Sequence, residues 1–159
     1  MRRATSTIVA ATLIACAAAG CNKQYIAGTE IEDTPENNEV LAFCERYRHA
    51  VEDLNVGLLL SMASPRYFDN SGTPSGDDDF DKTGLEEVLR ERFKAIKALR
   101  YEFKYRDVRV EESRISVEYS YTLSFQYAVG DKSHWENETG DNRLELERID
   151  DGFLVLSGL

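Results

Sequence analysis

From Ile115 to Val129 the chain alternates without a break. Ile115, Val117, Tyr119, Tyr121, Leu123, Phe125, Tyr127 and Val129 are aliphatic or aromatic, and Ser116, Glu118, Ser120, Thr122, Ser124, Gln126 and Ala128 stand between them. A period of two marks a strand with one face on a core. At about 3.3 Å per residue the stretch spans about 50 Å, longer than an ordinary strand, so the sheet that holds it must bend strongly or coil. A bent sheet of this kind has an oily, tyrosine-rich concave side that other elements must cover.

The elements upstream supply that cover. Thr34 offers an N-cap, Pro35 the first helical position and Glu36 an early negative charge. Val40, Phe43, Cys44, Tyr47, Val51 and Leu54 then share one stripe at the helical period, predicting a helix over 35–54. Asn55 is placed to cap a second, shorter helix from Val56 to Ala63, which Pro65 stops, and Arg66 to Asp69 reads as a short strand. Residues 70–83 form an acidic loop containing Gly, Ser and Pro. A third helix is expected over 85–99, with Leu85, Val88, Leu89, Phe93, Ile96 and Leu99 inward. Beyond Arg100 the period drops to two. Tyr101, Phe103 and Tyr105 alternate with charged residues, and Val108 and Val110 continue on the other parity, which predicts a bulge near Arg106-Asp107. A turn at 111–113, a strand over 133–149, a turn at 150–152 and a closing strand over 153–157 complete the chain. Helices first and an antiparallel meander after them is an α+β layout: three N-terminal helices packed on a strongly curved antiparallel sheet.

The first twenty residues are of a different kind. Arg2 and Arg3 make a basic start, and Ile8 to Ala19 is an uncharged, mostly apolar run. As a helix that run rises about 18 Å, short of the hydrocarbon core of about 30 Å, so it has signal-peptide length rather than spanning length. Ala18-Ala19-Gly20-Cys21 resembles a bacterial lipobox, with Ala18 where Leu is usual. That resemblance implies cleavage before Cys21 and its lipidation. It divides the chain into a signal peptide (1–20), a lipidated Cys and polar tether (21–34) and a domain (35–159). Two or three acyl chains hold a protein stably on a membrane where one does not. Asn22 stands where Asp commonly signals inner-membrane retention, so the expected address is the outer membrane facing the periplasm. The alternative is an ordinary secretory peptide cut near the alanines.

Charge narrows the partners. The chain of 159 residues carries a net charge of −10, and losing Arg2 and Arg3 leaves 17 basic against 29 acidic side chains, or −12. Such a surface repels phosphate backbones, so no nucleic acid is expected, and it draws nothing from anionic lipid heads. Once Cys16 leaves and Cys21 is capped, Cys44 has no partner for a disulfide, and on the apolar side of its helix it reads as a small core residue.

The helix pair joined at Asp53-Leu54-Asn55-Val56, the following Ser64-Pro65-Arg66-Tyr67-Phe68-Asp69, the third helix, the long strands and the closing Gly152 to Gly158 resemble the nuclear-transport-factor-2-like superfamily, the cystatin-like cone that includes SnoaL-like proteins. The likeness covers about residues 36–159. Gly28 to Asn37 followed by this domain is similar to deltaproteobacterial lipoproteins of unknown function. The superfamily resemblance implies a conical pocket. It leaves activity open, because the family holds isomerases, dehydratases, polyketide cyclases, transport adaptors and plain binding modules.

Motif searches for phosphate loops, dinucleotide folds, zinc-protease helices, thiol redox pairs and nucleophile elbows find nothing, so no cofactor is expected. Two histidines and one free thiol argue against zinc, and the spacing of Asp77, Asp78, Asp79 and Asp81 does not match a calcium loop, so no metal is expected either. Every odd position from 115 to 129 lacks a carboxylate. His49 falls opposite its helix's apolar stripe, and His134 lies at a strand edge. Asp69 is the one acid to nominate as a base, against a structural role in capping a loop. Tyr67, Tyr119 and Tyr121 could present hydroxyls to a ligand, against plain core packing. Arg92 falls in the middle of the third helix's stripe, where a guanidinium must find an anion. It pairs with Asp69 or the 77–81 loop, snorkels to the rim, or receives an anionic ligand at the pocket mouth. Trp135 reads as a sheet-edge binding aromatic or a packing residue. Two functions compete. One is a membrane-anchored, non-enzymatic domain binding a small apolar or anionic ligand, a protein partner or a second copy through its sheet. The other is a small lyase or isomerase using Asp69 and the pocket tyrosines.

Overall fold

The computed structural model describes residues 23–70 and 76–159. The leader, Cys21 and Asn22 lie outside the described residues, as do residues 71–75 of the acidic loop and the side chain of Asp77. Helix α1 (Pro35–Glu52) opens at Thr34, whose hydroxyl accepts from the Asn37 N–H, with Pro35 in the first turn. It ends at Asp53. Leu54, at φ 52°, turns the chain into Asn55, which caps α2 (Val56–Met62) by accepting from the Leu58 N–H. The strands β1 (Phe68–Asp69) and β2 (Phe80–Asp81) form a small antiparallel pair. After α3 (Lys82–Phe93) come β3 (Ile96–Glu111), β4 (Arg114–Val129), β5 (Lys132–Ile149) and β6 (Gly152–Ser157). These four make one antiparallel meander in the order β3-β4-β5-β6. The expected layout of three helices on a long antiparallel sheet is the one observed.

The register carries the expected bulge. Pairing steps from Tyr105 opposite Tyr119 to Asp107 opposite Glu118, leaving Arg106 as the extra residue. That one-residue slip turns Val108 to the same side as Tyr105 and bends the sheet there. Ile115, Val117, Leu144, Leu146 and Val155 form the fully buried floor beneath α1, with Val40, Phe43 and Cys44 above.

Three expectations need correction. The third helix covers 82–93 rather than 85–99. It starts early because the Asp81 carboxylate accepts from the Thr83 and Gly84 N–H groups. It stops early because Ile96 and Leu99 pair with Tyr127 and Phe125 of β4, which gives their backbone a strand's hydrogen bonds. A spacing of three fits a helix, and in the strand a register slip between Ile96 and Ala98 puts Ile96 and Leu99 on one face, so the long partner strand decides it. The loop predicted over 70–83 therefore holds a 3-10 turn (Gly76–Asp78), β2 and the start of α3. The segment read as a polar tether folds back from Lys23 onward: Tyr25 bridges Glu32, the Ile26 N–H donates to the Ile31 carbonyl, and Ile31 is buried in the core.

Both flanks of the sheet are tied down by polar side chains. On the β3 side, Glu52 accepts from the Tyr101 N–H at 3.0 Å and Arg48 donates to the Tyr101 carbonyl at 3.1 Å, in place of a neighbouring strand. Near β6, the Ser64 N–H donates to the Val155 carbonyl, and the Ser64 hydroxyl donates to Glu147 of β5, which also pairs with Arg66. The Ser64 hydrogen bond holds the buried Glu147 carboxyl below its ordinary 4.5 and Arg66 assists, together outweighing burial, which pushes the other way. A carboxylate with a lowered pKa stabilises the fold above its ordinary value, and that contribution is lost as pH falls through the native one. Glu147→Gln should therefore cost about 1–3 kcal/mol at pH 7. In urea titrations the gap to wild type should narrow below pH 4.5; a gap unchanged down to pH 3 would show that the charge contributes nothing.

Candidate functional site

Cross-strand neighbours share a face, so the pairing of β3, β4 and β5 writes out the concave wall in rows. One row is Tyr105–Tyr119–Asn142, the next Phe103–Tyr121–Gly140, then Tyr101–Leu123–Glu138, Leu99–Phe125–Glu136 and, at the end, Ile96–Tyr127–His134. Tyr47 enters from α1 and Tyr67 from the segment after α2.

The deep rows are filled by their own side chains. Phe103 lies 4.1 Å from Tyr119 and 4.6 Å from Tyr101, ring centre to ring centre, and Tyr47 sits 6.0 Å from Phe103. Tyr47, Tyr67, Tyr101 and Tyr119 are all buried. Their hydroxyls are committed. Asn142 donates to the Tyr119 hydroxyl and to the Gly158 carbonyl, both at 3.1 Å. The hydroxyls of Tyr47, Tyr101 and Tyr119 act on one another, and Tyr105 donates to Glu45 at 2.7 Å. Burial pushes all of these phenols, and Tyr67, above the ordinary value. At neutral pH they are uncharged donors and acceptors, not bases.

The outer rows are open. Leu123, Phe125 and Tyr127 are half-buried and Val129 is exposed. Opposite Tyr121, Gly140 leaves room for the ring. A Cβ there would stand 2.8 Å from the Tyr121 hydroxyl, which lies over the strand and donates to Glu138 at 2.7 Å. That bond, with burial adding, pushes Tyr121 up to about 12.

Asp69, the nominated base, sits half-buried at the cone's flank. It accepts from the Gly158 N–H at 2.9 Å and from the Tyr67 hydroxyl at 3.1 Å, so it ties the end of β6 to β1. Arg92 is not in the core. It is exposed on the last turn of α3, which packs on α2 and β2. No described carboxylate pairs with it, and its charge acts on the hydroxyls of Tyr67 and Tyr101. Of the four residues expected to face a ligand, Tyr121 is half-buried on the concave face and Arg92 is exposed at the end of α3, whereas Tyr67 and Tyr119 belong to the filled depth.

The acids of this wall do not show in the alternation of β4. Glu136 and Glu138 come from β5, whose inward positions at this end are polar and give no alternation to read; only pairing with Phe125 and Leu123 puts them on the concave face. Cys44 is buried, its thiol pushed up to about 12 by burial, as a core residue should be. His49 is exposed beside Glu52 at 3.2 Å, and His134 stacks on Tyr127 at 5.9 Å. Trp135 lies on the convex face under the Arg100 guanidinium, 6.0 Å from its ring centre. No group of three or more His, Cys, Asp or Glu that could hold a metal ion is found among the described residues. A groove of about 350 Å³ opens elsewhere, between α1, α2 and β6, and no cone tyrosine lines it.

No family model and no curated protein matches the sequence. Solved structures do match the fold. A candidate scytalone dehydratase from Novosphingobium aromaticivorans is 8% identical with a TM-score of 0.65, over 77% of this chain and 80% of that one. A candidate calcium/calmodulin-dependent protein kinase II association domain from Xanthomonas campestris is 14% identical with a TM-score of 0.64, over 86% and 90%. The Kfla4162 protein from Kribbella flavida is 16% identical with a TM-score of 0.64, over 77% and 86%. At these identities the likeness is one of fold.

If Asp69 is a structural tie, Asp69→Ala should leave the Gly158 N–H and Tyr67 hydroxyl without that partner and cost about 1–3 kcal/mol in chemical unfolding. A variant as stable as wild type would return Asp69 to the pool of free acids.

Proposed function

We propose that this chain, which has the nuclear-transport-factor-2-like fold, is a lipid-anchored binding module of the bacterial envelope that takes a small, largely apolar ligand on the open half of its concave face. The fold supports a ligand-binding or small-molecule-processing domain. The observation that favours binding over chemistry is the division of the cone. Its depth is closed by neutral tyrosines with committed hydroxyls, whereas Leu123, Phe125 and Tyr127 remain partly open to solvent at the mouth. Rings and aliphatic side chains on a curved surface bind apolar bodies by excluding water.

The competing reading, a lyase or isomerase built on Asp69, would need that carboxylate released from Gly158 and Tyr67 before it could take a proton. The anchor rests on the basic leader, the short apolar run and Cys21. No described helix is long and apolar enough to cross a membrane. Attachment by lipid at Cys21, on the outer membrane and facing the periplasm, fits that sequence.

Two measurements test the proposal. Cys21→Ala should abolish acyl labelling and leave an unprocessed precursor; normal processing and membrane fractionation of the variant would refute the anchor. For the site, the full chain reconstituted in lipid nanodiscs should bind indole by calorimetry above empty-disc blanks. Phe125→Asp should weaken that binding by about tenfold, the scale of losing one buried apolar contact of about 1.4 kcal/mol. Equal binding by the variant would remove the concave face from the function.

A further inference from the structure

The free flank of β5 carries a charge pattern that its own sheet leaves unused. β6 pairs with β5 from Glu145 to Ile149, and the chain end closes the next stretch. There Asn142 donates to the Gly158 carbonyl at 3.1 Å, and Gly158 lies so close to the Arg143 carbonyl that a Cβ would not fit. From Lys132 to Asp141, β5 pairs with β4 alone among the described residues, and Lys132 to Thr139 are exposed. Such an edge presents outward the N–H and C=O groups of every second residue. Lys132, His134, Glu136 and Glu138 stand on its concave face, and the ion pairs among the described residues use none of them. Reflected through Trp135, the pattern exchanges base for acid. His134 stands one residue before it and Glu136 one after; Lys132 stands three before and Glu138 three after.

Two copies of one strand can pair antiparallel about a two-fold axis, which sets each residue opposite its mirror position and keeps concave face beside concave face. The residue on the axis fixes the register. With Glu136 or Glu138 there, a glutamate faces its own copy; with Asn137 there, Glu136 faces Glu138 twice. With Thr139 there, no acid meets a base. With Trp135 on the axis, Lys132 faces the second copy's Glu138 and His134 its Glu136, each pair formed twice, while Ser133 faces Asn137 on the convex side. Directly opposed side chains have Cβ atoms about 5 Å apart, close enough for opposite charges to attract and like charges to repel. We propose that this chain forms a two-fold dimer through the 132–138 edge of β5, centred on Trp135, which joins two four-stranded sheets into one. The β3 margin is already occupied at its centre by Arg48 and Glu52, so the β5 edge is the open one. Trp135 is 51% exposed in the single chain, and the axis sets its ring against its own copy. The inference goes beyond the binding reading and does not rest on it.

The sample is the full chain in detergent micelles, and sedimentation reads its dimer fraction. Pairing along one short edge makes a small interface, so concentrations from about 1 µM to about 1 mM span the expected midpoint. Trp135 is the only tryptophan, so its emission should move to shorter wavelength over the same range as its ring leaves water. Lys132→Glu sets acid against acid and Glu138→Lys base against base; each variant alone should dimerise about tenfold more weakly. Mixed in equal amounts, the two should recover wild-type association, because every 132–138 pair between unlike chains is again opposite in sign. Micelles that trap two copies by chance do so for every sample alike, and contact through another surface gives no recovery on mixing. A wild-type chain that stays monomeric up to about 1 mM, or a mixture that associates no better than either variant alone, would overturn the dimer. Glu138→Lys also gives up the bond from the Tyr121 hydroxyl. If its melting temperature falls by more than about 2 °C, His134→Glu mixed with Glu136→Lys makes the same test one row inward.

Discussion

The architecture depends on a mismatch of lengths. β4 runs sixteen residues and β5 eighteen, whereas the main covering helix, α1, also has eighteen. A strand advances about 3.3 Å per residue and a helix 1.5 Å, so about 27 Å of helix faces a sheet about 50 Å long. One helix can therefore roof only half of the wall. The roofed half must exclude water and is packed with rings. The other half keeps the same apolar alternation and is only partly covered. Depth and mouth thus come from counting residues in two geometries.

The same mismatch explains what the sequence made legible. Thr34, Pro35 and Asn55 mark helix starts through local backbone chemistry, which needs no partner to be read. The alternation of β4 and the parity slip at Arg106 are also local, and the pairing follows them. The end of α3 was not legible, because Phe93, Ile96 and Leu99 continue a helical stripe, and only the register slip after Ile96 and the pairing with Tyr127 and Phe125 turn Ile96 and Leu99 into strand residues on one face. Arg92 was misplaced for the same reason: a stripe says which side of a helix is apolar but not how far the neighbouring elements extend. Glu138 was invisible because its inward direction is inherited from β4's register.

The tyrosines show how a polar group can be stored in a core. Asn142 reaches from β5 to the Tyr119 hydroxyl and onward to the Gly158 carbonyl, so one amide serves the cone and the end of β6 together. Glu45 works similarly from α1. Burial pushes its carboxyl up, but the bonds from Tyr105 and Arg48 outweigh this and hold it low, so a charged acid at the helix–sheet boundary is retained by its donors. These contacts specify which ring faces which, where apolar packing alone would leave rotations nearly equal in energy.

The grip of Arg48 and Glu52 on the Tyr101 backbone has a consequence for assembly. An open-ended ribbon of sheets needs two exposed margins on every molecule, one to receive and one to offer. Here the β3 margin is already occupied at its centre by the molecule's own helix. The exposed ladder groups on the opposite flank lie on β5, beyond the stretch that β6 pairs. At Tyr101 an incoming strand would find both backbone groups already engaged, so adding a neighbour along β3 would first have to displace Arg48 and Glu52.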